Sequence, residues 1–300
     1  ATVLLALLVA VFAWRPSLLL RLPDPHQVEH NALAPSSVIV DRDGRLLYEI
    51  IDPNAGVNRP LTLDEIPLTL QQAVIATEDA SFYRNPGVDV VGMLRAVWQN
   101  VRAGEIRSGA STITQQVARN LLMGAEERAQ QTWRRKLREV VLAYHLTRTC
   151  SKDEILTLYL NGTYLGNMAY GVEAAARAYF GKPVGQLDLA ECALLAGLPQ
   201  SPSAYNPLIN LPAAKERQWV VLRLMVKAGN ITSDEAELAA REPLHLAGAL
   251  FTFEAPHYCL WVRQQLGDLL GEERVRAGGL RVETTLDLDL QRAAEDAVRR

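Results

Sequence analysis

The chain has 300 residues, a formal net charge of −3 and a hydrophobic fraction of 49%. That size and composition support a sizeable core, in one large domain or one domain with pieces of others, and the near-neutral balance gives no electrostatic reason to expect a nucleic-acid partner. Cys150, Cys192 and Cys259 stand far apart with no CxxC or Cys/His spacing, so neither a metal site nor a disulfide framework is implied, and they read as ordinary thiols.

The first stretch, ATVLLALLVAVFAW, carries no charge and is closed by Arg15 and Pro16. A spanning helix takes about 20 apolar residues, and residues 1–20 read as the outer part of a single membrane anchor. A signal-peptide core is the alternative, although no small-residue cleavage site is evident. Either reading sends the rest of the chain across a membrane. Residues 21–36, polar and proline-bearing, read as a stalk. SVIVDRDGRLLYEI then gives two β-rich runs around Asp43-Gly44, the signal of a hairpin.

Beyond the hairpin the pattern turns helical. Capping-box spacings occur at Thr62–Glu65, Ser151–Glu154 and Thr232–Glu235. Helices are expected near 68–78, 88–102, 111–122, 132–148, 153–161, 171–179, 187–197, 212–228 and 233–241. After Pro243 the pattern changes again. GGLRVETTLDLDLQRAAEDAV alternates like a strand through Leu280, Val282 and Thr284 and then runs into a helix. The mid-helix start and end are read as those of a piece of a longer protein.

Several stretches carry candidate chemistry. IATEDASFYRNPGVD ends an apolar helix on Glu78 and Asp79 beside Phe82 and Tyr83. A carboxylate partly desolvated there has a raised pKa, as a base or acid requires; the bland alternative is a solvated helix end. SGASTITQQVARNLL places small and polar residues from Gly109 to Gln116. Ser111 is read as the helix cap, which leaves Thr112, Thr114, Gln115 and Gln116 as neutral donors and acceptors, with Arg119 one turn beyond Gln115. A loop followed by a polar cap is the plainer reading. In TWRRKLREVVLAYHLTR an apolar stripe leaves Arg135, Lys136 and Glu139 together off it, as a cationic wall for a diphosphate or as a solvated ion cluster. ILTLYLNGTYLGNMAYGVEAAARAYFGK offers Tyr164, Tyr170 and Tyr179 as walls of a sugar cleft, or as packing residues, and Glu173 as a third acid. LDLAECALLAGLPQSPSAYNP ends an Ala/Leu helix at Gly197-Leu198-Pro199.

In this order and spacing the five stretches resemble the signature motifs of the peptidoglycan glycosyltransferase domain of bifunctional, class A penicillin-binding proteins and monofunctional transglycosylases. The first motif, E-D-x-x-F-x-x-H-x-G, corresponds to Glu78 through Gly87, and G-x-S-T-I-T-Q-Q to Gly109 through Gln116. R-K-x-x-E corresponds to Arg135, Lys136 and Glu139. The fourth motif begins at Ile155 and runs to Asn161, and the fifth ends in Pro199-Gln200-Ser201-Pro202. The likeness runs from about residue 36 to 230.

The resemblance implies a mainly α fold: a lysozyme-like, two-lobed helical domain over residues 37–245, with a small N-terminal β hairpin. Residues 246–300 are then a linker and the beginning of a transpeptidase region. It implies polymerisation of lipid II into β-1,4-linked glycan strands, with inversion and release of undecaprenyl diphosphate. Glu78 matches the family's base, and Glu139 its second carboxylate, orienting the cations or the sugar. Asp79, Phe82, Ser111, Thr112, Thr114, Gln115, Gln116, Arg119, Asn120, Arg135, Lys136, Asn161 and Tyr164 match substrate-binding positions. A divalent cation, Mg or Mn, is expected to assist at the diphosphate, with no protein metal site. The implied partners are lipid II, the growing glycan, the membrane and other cell-wall synthesis proteins, with the domain on the outer side of a bacterial cytoplasmic membrane.

Three departures stand out. Asn85 replaces the first motif's usual His, and Gln131 replaces a frequent Arg before the third motif, with Arg128 or Arg134 as substitutes. Neither Ser-x-x-Lys nor Lys-Thr-Gly occurs, so transpeptidase chemistry is absent from these residues. A lipid II-binding scaffold without turnover and a lysozyme-like glycan hydrolase are the rival readings.

Overall fold

The computed structural model describes residues 23–28, 31–32, 34–51, 56–89, 92, 111–130, 132–247 and 253–299. The anchor read over 1–20, parts of the stalk, the helix expected over 88–102, Gly109, Ala110 and Gln131 lie outside the described residues, apart from 88, 89 and 92. Among the described residues no helix is long and apolar enough to cross a membrane.

Strands β1 (Ser37–Val40) and β2 (Leu46–Ile50) form the expected antiparallel hairpin. Its turn is set by Asp41, whose Oδ1 accepts the Asp43 and Arg45 amides at 2.9 and 2.8 Å, and by Gly44 at φ +82°, a value that suits glycine. Strand β3 (Val57–Asn58) pairs in parallel with β4 (Ala169–Tyr170).

The helical body comprises α1 (Leu68–Glu78), α2 (Ile113–Leu122), α3 (Ala125–Ala129), α4 (Trp133–Thr149), α5 (Lys152–Gly162), α6 (Val172–Phe180), α7 (Leu189–Gly197), α8 (Leu211–Ala228) and α9 (Ser233–Arg241). The Ser151–Glu154 and Thr232–Glu235 boxes open α5 and α9. The Thr62–Glu65 box opens a 3-10 turn, Leu63–Glu65, just before α1. Helix α7 packs on both α1 and α8. Its buried alanines, Ala190, Ala193 and Ala196, permit close approach, and buried Gln218 of α8 donates from Nε2 to Ala190 O at 2.6 Å.

The C-terminal part holds α10 (Pro256–Leu270), α11 (Glu272–Arg276), β5 (Arg281–Glu283) and α12 (Leu288–Arg299). Strand β5 pairs in parallel with β1, giving the order β2–β1–β5. Helices α10 and α11 are not among the sequence expectations.

Two apolar cores result. One joins α1, α2 and α4–α9, with Leu70, Phe82, Ile113, Leu142, Ile155, Tyr179, Leu194 and Leu222 inside it. The other joins Ile39, Leu47 and Ile50 of the hairpin to Cys259, Val262, Val275 and Leu288. The hairpin, grouped by sequence with residues 37–245, therefore packs on the segment after residue 245. Strand β1 is buried by chain about 240 residues away, which local patterning does not register.

Candidate active site

Helix α1 delivers Glu78 as its last residue. The carboxylate is half-buried by area yet densely surrounded, and its Oε2 accepts the Gln116 side-chain amide at 2.7 Å. Burial raises its pKa above the ordinary carboxylate range. The Gln116 hydrogen bond and the positive charges of Arg217 and Arg119 pull it back, and Asp79 pushes it up. The carboxyl is thus partly desolvated and faced by arginines from α2 and α8. Arg217 is held by its own contacts: Nε donates to Gly197 O at 3.2 Å, and the guanidinium lies 6.0 Å from the Tyr205 ring centre. Desolvation lowers its pKa, opposed by Glu78. Tyr159, buried on α5, lies in the fields of Glu78 and Arg119, and burial followed by the Glu78 charge holds its phenol protonated.

Asp79 ends the helix: its backbone turns extended while its amide still donates to Ile75 O at 3.0 Å. Its buried carboxylate accepts both 2.9 and 3.0 Å bonds from Asn85 Nδ2, one from Ser81 Oγ at 3.1 Å, and one from the Ile113 amide at 3.3 Å. Burial raises its pKa, and these donors and Lys152 oppose the rise. Asp79 therefore ties the first motif's loop to the start of α2. A second tie comes from Thr112, whose Oγ1 donates to Gly87 O at 2.7 Å.

The cationic group lies beside the start of α2. Lys136 Nζ donates to Ser111 Oγ at 2.7 Å and to Glu139 Oε1 at 2.6 Å, and Arg135 Nη1 donates to Glu139 Oε2 at 3.1 Å. Glu139 is 0% exposed, whereas the Arg135 and Lys136 side chains are 16% and 34% exposed. A fully buried carboxylate thus props two cations toward solvent. Both carboxylate oxygens of Glu139 are taken by these two cations, which it holds in place.

Several expected substrate contacts are placed elsewhere. Phe82 is 0% exposed in the helical core, under the Lys152 ammonium, so it anchors the loop. Thr112, not Ser111, caps α2: its Oγ1 accepts the Gln115 amide at 3.1 Å, and Gln115 Oε1 accepts the Thr112 amide at 2.9 Å. Thr112, Thr114 and Gln115 are all buried, as are Ile113, Val117 and Ala118, so the start of α2 is enclosed on most of its sides. Asn161 clamps the backbone of Leu61, accepting its N–H at 2.9 Å and donating to its carbonyl at 2.8 Å, and so fixes the approach to α1. The Asn120 carbonyl accepts Arg128 Nη1 at 2.9 Å, which directs Arg128 to the end of α2. Tyr164 is exposed and packs on Tyr170 with ring centres 5.0 Å apart. Tyr179 is buried, donating to Leu165 O, and Glu173 is buried against Arg177 and the Val184 amide.

The structure thus brings Glu78, Gln116 and Arg119 together along α2, and Ser111, Arg135, Lys136 and Glu139 together beside its start. Sequence reasoning missed Arg217 and Lys152. The signal for Arg217 was its helix leaving the fifth motif's turn with a polar run, Lys215 to Gln218, whose last member is buried.

The site thus presents a partly desolvated carboxylate at a helix end, faced by two arginines, and a cation pair braced by a buried glutamate. The family model for the transglycosylase family matches residues 43–226, and the chain belongs to that family. It is 41% identical over 283 residues to penicillin-binding protein 1A of Neisseria flavescens, covering 93% of this chain and 34% of that protein. It is also 41% identical over 280 residues to penicillin-binding protein 1A of Vibrio cholerae, covering 92% and 33%. The chain therefore spans about a third of the length of the curated relatives it matches. A crystal structure of penicillin-binding protein 1A from Haemophilus influenzae aligns with 88% of this chain and 29% of that one, at 29% identity and a TM-score of 0.48.

Proposed function

We propose that the chain is a peptidoglycan glycosyltransferase that joins lipid II units into β-1,4-linked glycan strands, with Glu78 as general base. The observation that carries this reading is the half-buried Glu78, held by Gln116 and faced by Arg119 and Arg217. Family membership supports the reaction class.

In this mechanism the 4-hydroxyl of the incoming unit attacks the anomeric carbon of the growing chain. The bond from that carbon to the phosphate oxygen breaks, its electron pair leaves with undecaprenyl diphosphate, and the configuration inverts. The hydroxyl proton passes to Glu78, whose raised pKa suits it to receive one. Negative charge grows on the diphosphate, and in this reading Arg135 and Lys136, preset by Glu139, offset it without reorganising. Ser111 fixes the Lys136 ammonium from the other side.

The described residues include no group of three or more His, Cys, Asp or Glu able to hold a metal ion. Glu78 and Glu139 are already engaged by Gln116 and by the Arg135/Lys136 pair. A divalent cation, Mg or Mn, would thus be carried by the substrate's phosphates, as Mg commonly is, and no step here passes through it. A lipid-linked substrate places the site at the outer face of a bacterial cytoplasmic membrane, with residues 1–20 as the anchor and other cell-wall synthesis proteins as partners.

The test is polymerisation of lipid II in detergent by wild type and Glu78→Gln, with products resolved on a gel. A ladder from wild type alone supports the reading. A ladder from both reassigns the base. Binding without a ladder from either favours the scaffold alternative, and release of sugar from polymeric peptidoglycan the hydrolase.

A further inference from the structure

Lys152 opens α5 directly after its Ser151 cap and reaches back to the first motif's loop. Its Nζ donates to Asn85 Oδ1 at 3.2 Å and lies 4.6 Å from the centre of the Phe82 ring. The Asn85 side chain is fully used. Its Oδ1 also accepts the Gly87 amide at 3.0 Å, and its Nδ2 donates to both Asp79 oxygens and to Ser81 Oγ. Asp79 accepts the Ile113 amide in the first turn of α2, and α2 carries Gln116 to Glu78. A chain of contacts therefore runs from Lys152 through Asn85, Asp79 and α2 to the carboxylate of Glu78.

We propose that Lys152 is a positioning residue for the Glu78 centre, acting through Asn85 and Asp79; this rests on the glycosyl-transfer reading above. The reason is one of donors and acceptors. An amide presents an acceptor at one end and a donor at the other, and rotation by half a turn exchanges them. An ammonium donates only, so with Lys152 on one side the Asn85 oxygen must face it and the NH2 must face Asp79. Inverted, the Asn85 oxygen would meet the Asp79 carboxylate and repel it. Lys152, together with the Gly87 amide, thus fixes the end of Asn85 on which Asp79 rests, and with it the seat of α2. Its charge also offsets the burial of Asp79 from one residue away. The charged groups acting on Asp79 include Glu78 beside it in the chain and Lys152 from α5; Ser81, Asn85 and the Ile113 amide are neutral donors.

The test compares wild type, Lys152→Met and Lys152→Arg in lipid II turnover across pH, with thermal melting of each protein at each pH. Lys152→Met is expected to lower kcat roughly ten- to a hundredfold, the scale of a small misplacement of reacting groups, with KM changed less. The acid limb of its profile should move to higher pH, because Asp79 loses its cation, and Lys152→Arg should restore most of the rate. A Lys152→Met enzyme with the wild-type kcat and pH profile overturns the proposal, as does a rate loss with an unmoved profile that tracks melting alone. If wild type shows no turnover, the functional reading fails on its own. The proposal is then decided by carbon NMR titration of the Asp79 carboxyl, where a midpoint raised in Lys152→Met supports it and an unchanged one overturns it.

Discussion

The side-chain amide of Gln116 donates to Glu78 Oε2 at 2.7 Å across 38 positions of sequence, so α2 sets the state of a carboxylate that α1 delivers. The bond favours the ionised form, which burial opposes. Gln116→Leu should push the Glu78 pKa further up and move the acid limb of kcat/KM to higher pH. The loss at neutral pH should be roughly ten- to a hundredfold, from a hydrogen bond to a charged group of about 1.5–3 kcal/mol. Initial rates of lipid II consumption against pH check this, and superimposable profiles would refute it.

The same burial makes Glu78 a cost to the fold. Its folded pKa lies above its unfolded one, so its contribution to stability is complete below the unfolded pKa and is lost as pH rises through the folded pKa. Glu78→Gln should therefore melt at a higher temperature than wild type at neutral pH. That gap should close as pH falls below the ordinary glutamate range. Melting curves of the two proteins from neutral to acid pH measure it, and a gap independent of pH would contradict the assignment.

Glu139 bears the opposite sign. It is fully buried between Arg135 and Lys136, and removing one member of a buried ion pair leaves the other uncompensated. Glu139→Gln should cost about 2–3 kcal/mol, below the range for wholly buried pairs because Lys136 keeps access to water. Denaturant titration gives the number. Turnover should fall as well, since the two cations lose their seat.

Gly87 sits at φ +91°, and a Cβ there would lie 2.5 Å from both Ala143 O and Thr147 Oγ1 of α4. The backbone conformation alone disfavours any side chain by about 1–2 kcal/mol, and the carbonyl cannot rotate away from a helix. Gly87→Ala should destabilise by at least about 2 kcal/mol. The loss should be visible in melting of the purified protein before any assay of turnover.

Much of the helical body is legible because its ends are written locally. The expected 68–78 and 233–241 are the observed bounds of α1 and α9, and the Ser151–Glu154 and Thr232–Glu235 boxes open the helices they predict. The site is legible in the ion cluster of Arg135, Lys136 and Glu139, which the spacing puts together, and in Glu78, which the pattern puts at the end of α1. It is less so where a polar residue serves the backbone. Thr112 and Gln115 read as ligands for a substrate and close a cap on each other, while Asn161 reads as a cleft residue and holds Leu61. Arg217 escapes because its relation to Glu78 comes from packing of α8 beside α1, which no local spacing encodes. The pairing of Val38 with Arg281 and of Val40 with Glu283 escapes for the same reason.

The two cores share no buried residue among those described, so each is expected to open as its own cooperative unit. Their limits do not follow chain order: residues 37–50 belong energetically with 256–290. An excision at residue 245, natural to a reader of the sequence, would leave Ile39, Leu47 and Ile50 facing water on a hairpin too small to hold itself together. The helical body would keep its own core. Such a fragment should show protected amides in α1, α2 and α4–α9 and rapid hydrogen exchange throughout the hairpin.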